Sequence, residues 1–309
     1  MKNESNPSRA LHARAVWGAA RPSFLLLSVG LALLAFSLPS AAASDWQLYA
    51  LLMVMALSAH AAVNWLNEYE DFRSGLDSIT VSTPFSGGSK SLQNYPHAAE
   101  TVKWFGWTAV ALVVVLAFFL WPYLNFYLVV FGLLGIGLIL SYTRFLTRKP
   151  WLCLISPGLA FGPIMLLGMA WVLQGSLSWT AFWLSLTVFF QVNNLLLLNQ
   201  FPDRLADRQV GRYNVLMHLG TDKGLQIFKV FLLMSLLPVV GVIYQWQSGW
   251  QVLLLAPVFL LSVLLLNALR TWQDEMNVTQ MMPALALNVA LAVSTPLLLA
   301  TGFAISLHF

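Results

Sequence analysis

Nine apolar stretches of about 20 residues each fill most of this 309-residue chain and hold one charged residue between them, Lys229. They run approximately over residues 23–43, 46–66, 104–120, 124–142, 152–172, 179–198, 227–244, 252–269 and 281–304. An α-helix of that length crosses a hydrocarbon core of about 30 Å, and in lipid only helices and closed barrels satisfy their own backbone. The fold class that follows is all-α: a polytopic membrane protein with about nine transmembrane helices around a central cavity. Charged residues make up 9% of the chain, against about a quarter in soluble domains, which excludes a soluble enzyme. A lone cysteine, Cys153, excludes a disulfide framework or a cysteine metal cluster.

Charge sets the orientation. With the N-terminus inside, all 16 Lys and Arg fall on the cytoplasmic side, and the outer loops keep only Asp45 among charged residues. Trp46, Trp121, Trp171, Trp179, Trp246 and Trp250 form an aromatic belt on the outer side. The net charge of +4 is thus a matter of topology, and no nucleic-acid partner is expected. The first stretch also resembles a signal peptide ending in Ala41, Ala42 and Ala43, but a retained helix is expected because a long polar region precedes it. The setting expected is the inner (cytoplasmic) membrane of a bacterium.

Half of the 12 acidic residues sit in two short segments where apolar stretches end: Asn67, Glu68, Glu70, Asp71 and on to Asp77, then Asn199, Asp203 and Asp207. Asn67 and Asn199 lie 132 residues apart, each ending the second helix of a set of four. One domain is expected, with pseudo-repeat halves over about 20–145 and 150–272 plus a last helix over 281–304. The two segments would then face each other, on the cytoplasmic side.

His60, Asn64, Asn67 and Asp71 fall at i, i+4, i+7 and i+11, one face of a helix. Such a polar stripe in an apolar helix points to a cavity or a partner helix, so His60, Asn64 and Glu68 are candidates to line the cavity; interhelical hydrogen bonding is the plainer alternative. Asn199, Asp203 and Asp207 repeat at i, i+4 and i+8 and stack on one face. Carboxylates so close repel by about 4 kcal/mol per pair near a surface unless a cation intervenes. Oxygen ligands without cysteine favour Mg²⁺, which completes its shell with waters and substrate phosphates. Basic residues among the acids could receive that phosphate: Arg73, Lys90, Arg144, Arg148, Lys149, Arg204, Arg208 and Arg212. Lys90 follows Ser86-Gly87-Gly88-Ser89, whose backbone amides can approach an anion.

The strings NEYEDFRSGLD from Asn67, SGGSK from Ser86, SYT from Ser141, FGP from Phe161, and NQFPDRLADRQVGR from Asn199 followed by Leu219-Gly220 resemble the UbiA superfamily of intramembrane prenyltransferases. They look most like its 1,4-dihydroxy-2-naphthoate polyprenyltransferase branch, which serves menaquinone biosynthesis. The resemblance spans nearly the whole chain. It implies Mg²⁺ as cofactor, a lateral opening to lipid, and as partners a polyprenyl diphosphate, a small aromatic acceptor and membrane lipid. Asn67, Asp71 and Asp77 would bind one magnesium, and Asn199, Asp203 and Asp207 the other. Arg73, Lys90, Arg148, Lys149 and Arg208 would hold the diphosphate. Tyr142 would lie near the reacting allyl carbon, with Asp71 and Asp203 indispensable to turnover. Three departures stand out: Glu68 replaces the usual aspartate, Phe201-Pro202 precedes Asp203 where naphthoate enzymes more often carry an arginine, and Leu146 occupies the lysine position of the 4-hydroxybenzoate enzymes. Another acceptor, 4-hydroxybenzoate or an isoprenoid alcohol, is the alternative within the family, and a cation-coupled transporter is the alternative outside it.

Overall fold

The computed structural model describes residues 7–38, 45–246, 251–272 and 277–306. The small-residue tripeptide at 41–43 and Trp250 lie outside the described residues. Within them the chain is helical throughout, with turns but no strand. Ten helices carry the architecture: α1 (Pro7–Ala19), α2 (Pro22–Ser37), α3 (Trp46–Ser74), α4 (Ala99–Phe119), α5 (Phe126–Ser141), α6 (Pro150–Gln174), α7 (Trp179–Gln209), α8 (Thr221–Gln245), α9 (Gln251–Thr271) and α10 (Val278–Ser306).

Each of the nine apolar stretches is a helix among these, from α2 to α10. Seven are long and apolar enough to span a membrane alone; α2 pairs with α1 across a 52° bend, and α5 is a shorter apolar helix of 16 residues. At α3 and α7 the helices outrun the apolar sequence. With 29 and 31 residues they extend about 44 and 46 Å at 1.5 Å per residue, well past a 30 Å core. Their polar last turns therefore project from the membrane as continuous helix. Asp45 caps the start of α3 by accepting from Leu48 N–H at 3.0 Å, and Gly75, with φ 76°, ends it.

The helices close into a ring. α3 packs on α2 and α4; α7 packs on α6, α8 and α10; α10 in turn packs on α9 and α2. α7 is the spine, and its buried hydroxyl and amide side chains bind it to its neighbours. Thr187 donates to Ser235 O at 3.0 Å, Gln191 to Thr295 at 3.2 Å, and Asn194 to Phe228 O at 3.0 Å, while Asn288 of α10 donates back to Asn194 O at 3.0 Å. Inside lipid such bonds hold helices together where hydrophobicity cannot. α6 crosses α7 closely at two glycines: a Cβ on Gly158 or Gly162 would lie 2.2 Å from Phe189 O or Ser185 O. At this crossing α6 widens into a π-helical turn over Ala160–Leu166, around Pro163.

The ring is loosest between α4 and α5, which scarcely touch. Phe118, Trp121 and Leu133, on the two sides of that gap, are 72%, 76% and 67% exposed, yet all three line the central cavity. The cavity therefore opens sideways, through the wall that faces lipid.

Candidate active site

A cavity of about 700 Å³ lies inside the ring, apolar through most of its depth and polar where α3 and α7 emerge. Asn67, Asp71, Asp77, Asn199, Asp203 and Asp207 all line its polar end, together with Arg21, Tyr142 and Arg212. The six candidate magnesium ligands thus meet in one wall, although 132 residues separate the two asparagines.

Helix register places the first set. Asn67 Nδ2 donates to Asp71 Oδ2 at 2.8 Å across one turn of α3, and Thr143 fixes the Asn67 carbonyl at 3.1 Å. Gly75 then reverses the chain, and Asp77 returns to the cavity from the short helix Leu76–Ile79. From α7, Asn199 donates to Phe85 O at 2.9 Å, while Asp203 Oδ2 accepts from Gly87 N–H at 3.3 Å. The glycine-rich loop after α3 is therefore pinned to the second set. Gly87 must be glycine: its φ is 78°, and a Cβ would stand 2.4 Å from Val81 O.

The loop amides do approach anions, but these anions are the protein's own carboxylates. Glu68 accepts from Ser89 N–H at 3.2 Å, Ser89 Oγ at 2.6 Å and Ser91 N–H at 3.0 Å, and Arg21 lies 3.5 Å away. It is 0% exposed and sits behind the cavity wall instead of in it. His60 and Asn64 do line the cavity, and both also bridge helices: His60 Nδ1 meets Ser28 Oγ at 2.9 Å, and Asn64 donates to Ala20 O at 2.8 Å. Lys90 donates to Thr80 O and Thr80 Oγ1 at 2.9 Å each and to Asp77 O, so it ties the loop together from outside the lining. Arg73, Arg148, Lys149 and Arg208 are exposed and stand off the cavity.

Among the described residues, the arginines and lysines that reach the cavity are Arg21 and Arg212. Arg212 pairs with both Asp71 and Asp207, the latter at 3.3 Å. Arg21 stands at the bend before α2 with a left-handed backbone, φ 52°, a conformation uncommon outside glycine. Their sequence signal is weak, because arginines at helix ends are also what a membrane-orientation bias alone would place there. Burial works against the Arg212 charge, yet Asp71 and Asp207 hold it above the ordinary arginine range. Burial, then Glu68 and Asp71, push Asp77 up to about 7 against Lys90 and Arg21.

The donor set suits a hard divalent cation. All six groups offer oxygen, and Asp77 Oδ2 and Asp203 Oδ1 are buried without a hydrogen-bond partner, an expensive state unless a cation meets them. Among the described residues no three acidic, histidine or cysteine side chains converge enough to cage an ion alone. Magnesium needs no such cage, since it takes one or two carboxylates and leaves positions for phosphate oxygens.

The sequence profile of the UbiA prenyltransferase family matches residues 26–288, most of the chain. The chain belongs to the UbiA prenyltransferase family. It is therefore an integral membrane prenyltransferase, and the transporter alternative falls away. Solved UbiA structures share its fold at low identity. A UbiA homologue from Archaeoglobus fulgidus bound to GPP and Mg²⁺ is 12% identical, with a TM-score of 0.67 over 93% of this chain and 99% of its own. A UbiA homologue from Aeropyrum pernix K1 is 16% identical, with a TM-score of 0.65 over 93% and 98%. A digeranylgeranylglyceryl phosphate synthase is 14% identical, with a TM-score of 0.62 over 93% and 99%. No curated protein matches the sequence.

Proposed function

We propose that this UbiA-family enzyme transfers a polyprenyl group from a polyprenyl diphosphate to 1,4-dihydroxy-2-naphthoate, with Mg²⁺, at the cytoplasmic face of a bacterial inner membrane. The observation that carries the proposal is one cavity with two ends: six oxygen ligands and two arginines at one, and at the other an apolar wall open to lipid between α4 and α5. A diphosphate with a long hydrocarbon tail has that same division. The orientation follows from the basic residues, which gather at the polar end.

Asn67, Asp71 and Asp77 would hold one ion, and Asn199, Asp203 and Asp207 the other. When bound, magnesium supplies positive charge that stabilises the departing diphosphate. Arg21 and Arg212 add fixed positive charge at the same end of the cavity, already oriented before the reaction. The apolar wall, including Leu27, Val63, Phe161 and Leu195, excludes water that would otherwise quench an allyl cation. Tyr142 lines the polar end of the cavity, and the family resemblance would set it near the allyl carbon. The allyl carbon–oxygen bond breaks with its electron pair leaving on the diphosphate, and the allyl cation alkylates the aromatic carbon that bears the carboxylate. That carboxylate departs as carbon dioxide, so the ring regains its electrons. Leu146, which stands where 4-hydroxybenzoate enzymes carry a lysine, argues against 4-hydroxybenzoate as acceptor.

The test is prenyl transfer by detergent-purified protein with magnesium and a long-chain polyprenyl diphosphate, offered 1,4-dihydroxy-2-naphthoate and 4-hydroxybenzoate in parallel. Chelator-sensitive product from the naphthoate alone is expected. Product from 4-hydroxybenzoate alone would overturn the acceptor assignment and leave the prenyl transfer standing.

A further inference from the structure

Arg212 stands where one side chain reaches both acidic motifs. Its Nη2 pairs with Asp71 Oδ1 and its Nη1 with Asp207 Oδ1 at 3.3 Å, and its side chain is largely buried. The backbone holds it there. Gly211, with φ 78°, turns the chain just beyond α7, Arg212 N–H donates to Asp207 O at 3.0 Å, and Tyr213 N–H donates to Thr147 O at 3.0 Å.

The pairing divides the carboxylates into two classes. Asp71 has both oxygens engaged, by Arg212 and by Asn67. Asp207 likewise has both engaged, by Arg212 and by Asn214 at 3.4 Å. Asp77 and Asp203 each keep one buried oxygen without a partner. An ion that uses Asp71 or Asp207 must therefore compete with a guanidinium, which does not give up its charge. The planar fork that grips two carboxylates suits a phosphate equally well.

We propose that Arg212 is a resident counter-cation linking the two halves of the site: it bridges Asp71 and Asp207 while the site is metal-free, and turns its fork to the diphosphate once those carboxylates bind metal. The inference rests on the diphosphate reading above. It gives Arg212 opposite effects on two affinities. Without it, magnesium alone binds more tightly, and diphosphate binds more weakly.

The experiment titrates magnesium, and then inorganic diphosphate at saturating magnesium, into purified full-length wild type, Arg212→Gln and Arg212→Lys by calorimetry. Arg212→Gln is expected to tighten magnesium binding and weaken diphosphate binding, each by roughly tenfold, the scale of one charge-assisted hydrogen bond. Arg212→Lys keeps the charge and loses the fork, so magnesium stays near wild type and diphosphate still weakens. A scaffold role weakens both ligands in Arg212→Gln; that outcome, or unchanged magnesium affinity, overturns the proposal. Phenylglyoxal labelling of wild type, read by peptide mass spectrometry, covers the case of poorly folding variants. Arg212 should be protected without metal, labelled with magnesium alone, and protected again when diphosphate is added. Labelling indifferent to magnesium overturns the proposal. Wild type that binds no magnesium at all overturns instead the reading of the site on which it rests.

Discussion

Two buried carboxylate oxygens without partners, on Asp77 and Asp203, set the expectations for single residues. Asp203→Asn or Asp71→Asn should cut turnover by about 100-fold or more, since losing a metal ligand costs at least what losing its supporting shell does. Thermal unfolding of metal-free Asp203→Asn should not fall, because the change removes a buried charge that has an oxygen unmatched; a clear fall would show that the carboxylate is structural. Asp77 makes a pH prediction. Its folded value is raised from 3.8 to about 7, so the folded protein keeps a proton that the unfolded chain gives up. Stability of the metal-free protein therefore declines as pH rises between those values, and an ion must displace the proton to bind. Magnesium affinity should weaken as pH falls below about 7, seen by titration at about pH 6 and about pH 8, with the dependence reduced in Asp77→Asn and not abolished, because burial pushes Asp203 up to about 7 as well. The six candidate ligands line one cavity, as expected from the sequence, because helical spacing stacks Asn67 with Asp71 and Asn199 with Asp203 and Asp207 on single helix faces. Glu68 and Lys90 were not legible in that way: their partners, Ser89 and Ser91 in one case and Thr80 in the other, are set by how the loop folds, and no local pattern encodes that.

At the scale of elements, hydropathy showed the spans, and what it missed are polar stretches that stay helical. The last turns of α3 and α7 are as polar as loops, and only the four-residue repeats of Asn and Asp mark them as helix. α1 escaped altogether, since its mixed composition has no apolar run; it packs on α3, α4 and the 91–98 segment, where Trp65 donates to Val16 O at 2.8 Å. The FGP string has a mechanical reading that the sequence did not offer. Gly162 lets α6 lie against the α7 backbone at Ser185 and Phe189. Gly162→Ala should cost about 1–3 kcal/mol of stability through overpacking against Ser185 O, measured as a lowered unfolding midpoint in detergent. An unchanged midpoint would mean that the two helices can separate freely.

For the whole molecule, the ring explains how two segments far apart in sequence become one site, and why the fold survives at 12% identity to a solved relative. Apolar faces of many sequences can build the ring, while the candidate ligands sit on the polar ends of α3 and α7 and on the short helix Leu76–Ile79 that follows α3. The face-to-face meeting of the motifs was inferred from their spacing; the sideways gap came from family resemblance, because apolar residues facing lipid and apolar residues facing a cavity look alike in sequence. α5, on one side of that gap, has 16 residues and so spans about 24 Å, short of an average hydrocarbon core. A thinner bilayer would match it better. A shallow place in the bilayer beside the entrance is the expected consequence, which would make acyl-chain length a control on substrate access. Turnover in proteoliposomes should be faster in short-chain than in long-chain phosphatidylcholine at equal fluidity, with magnesium binding the same in both.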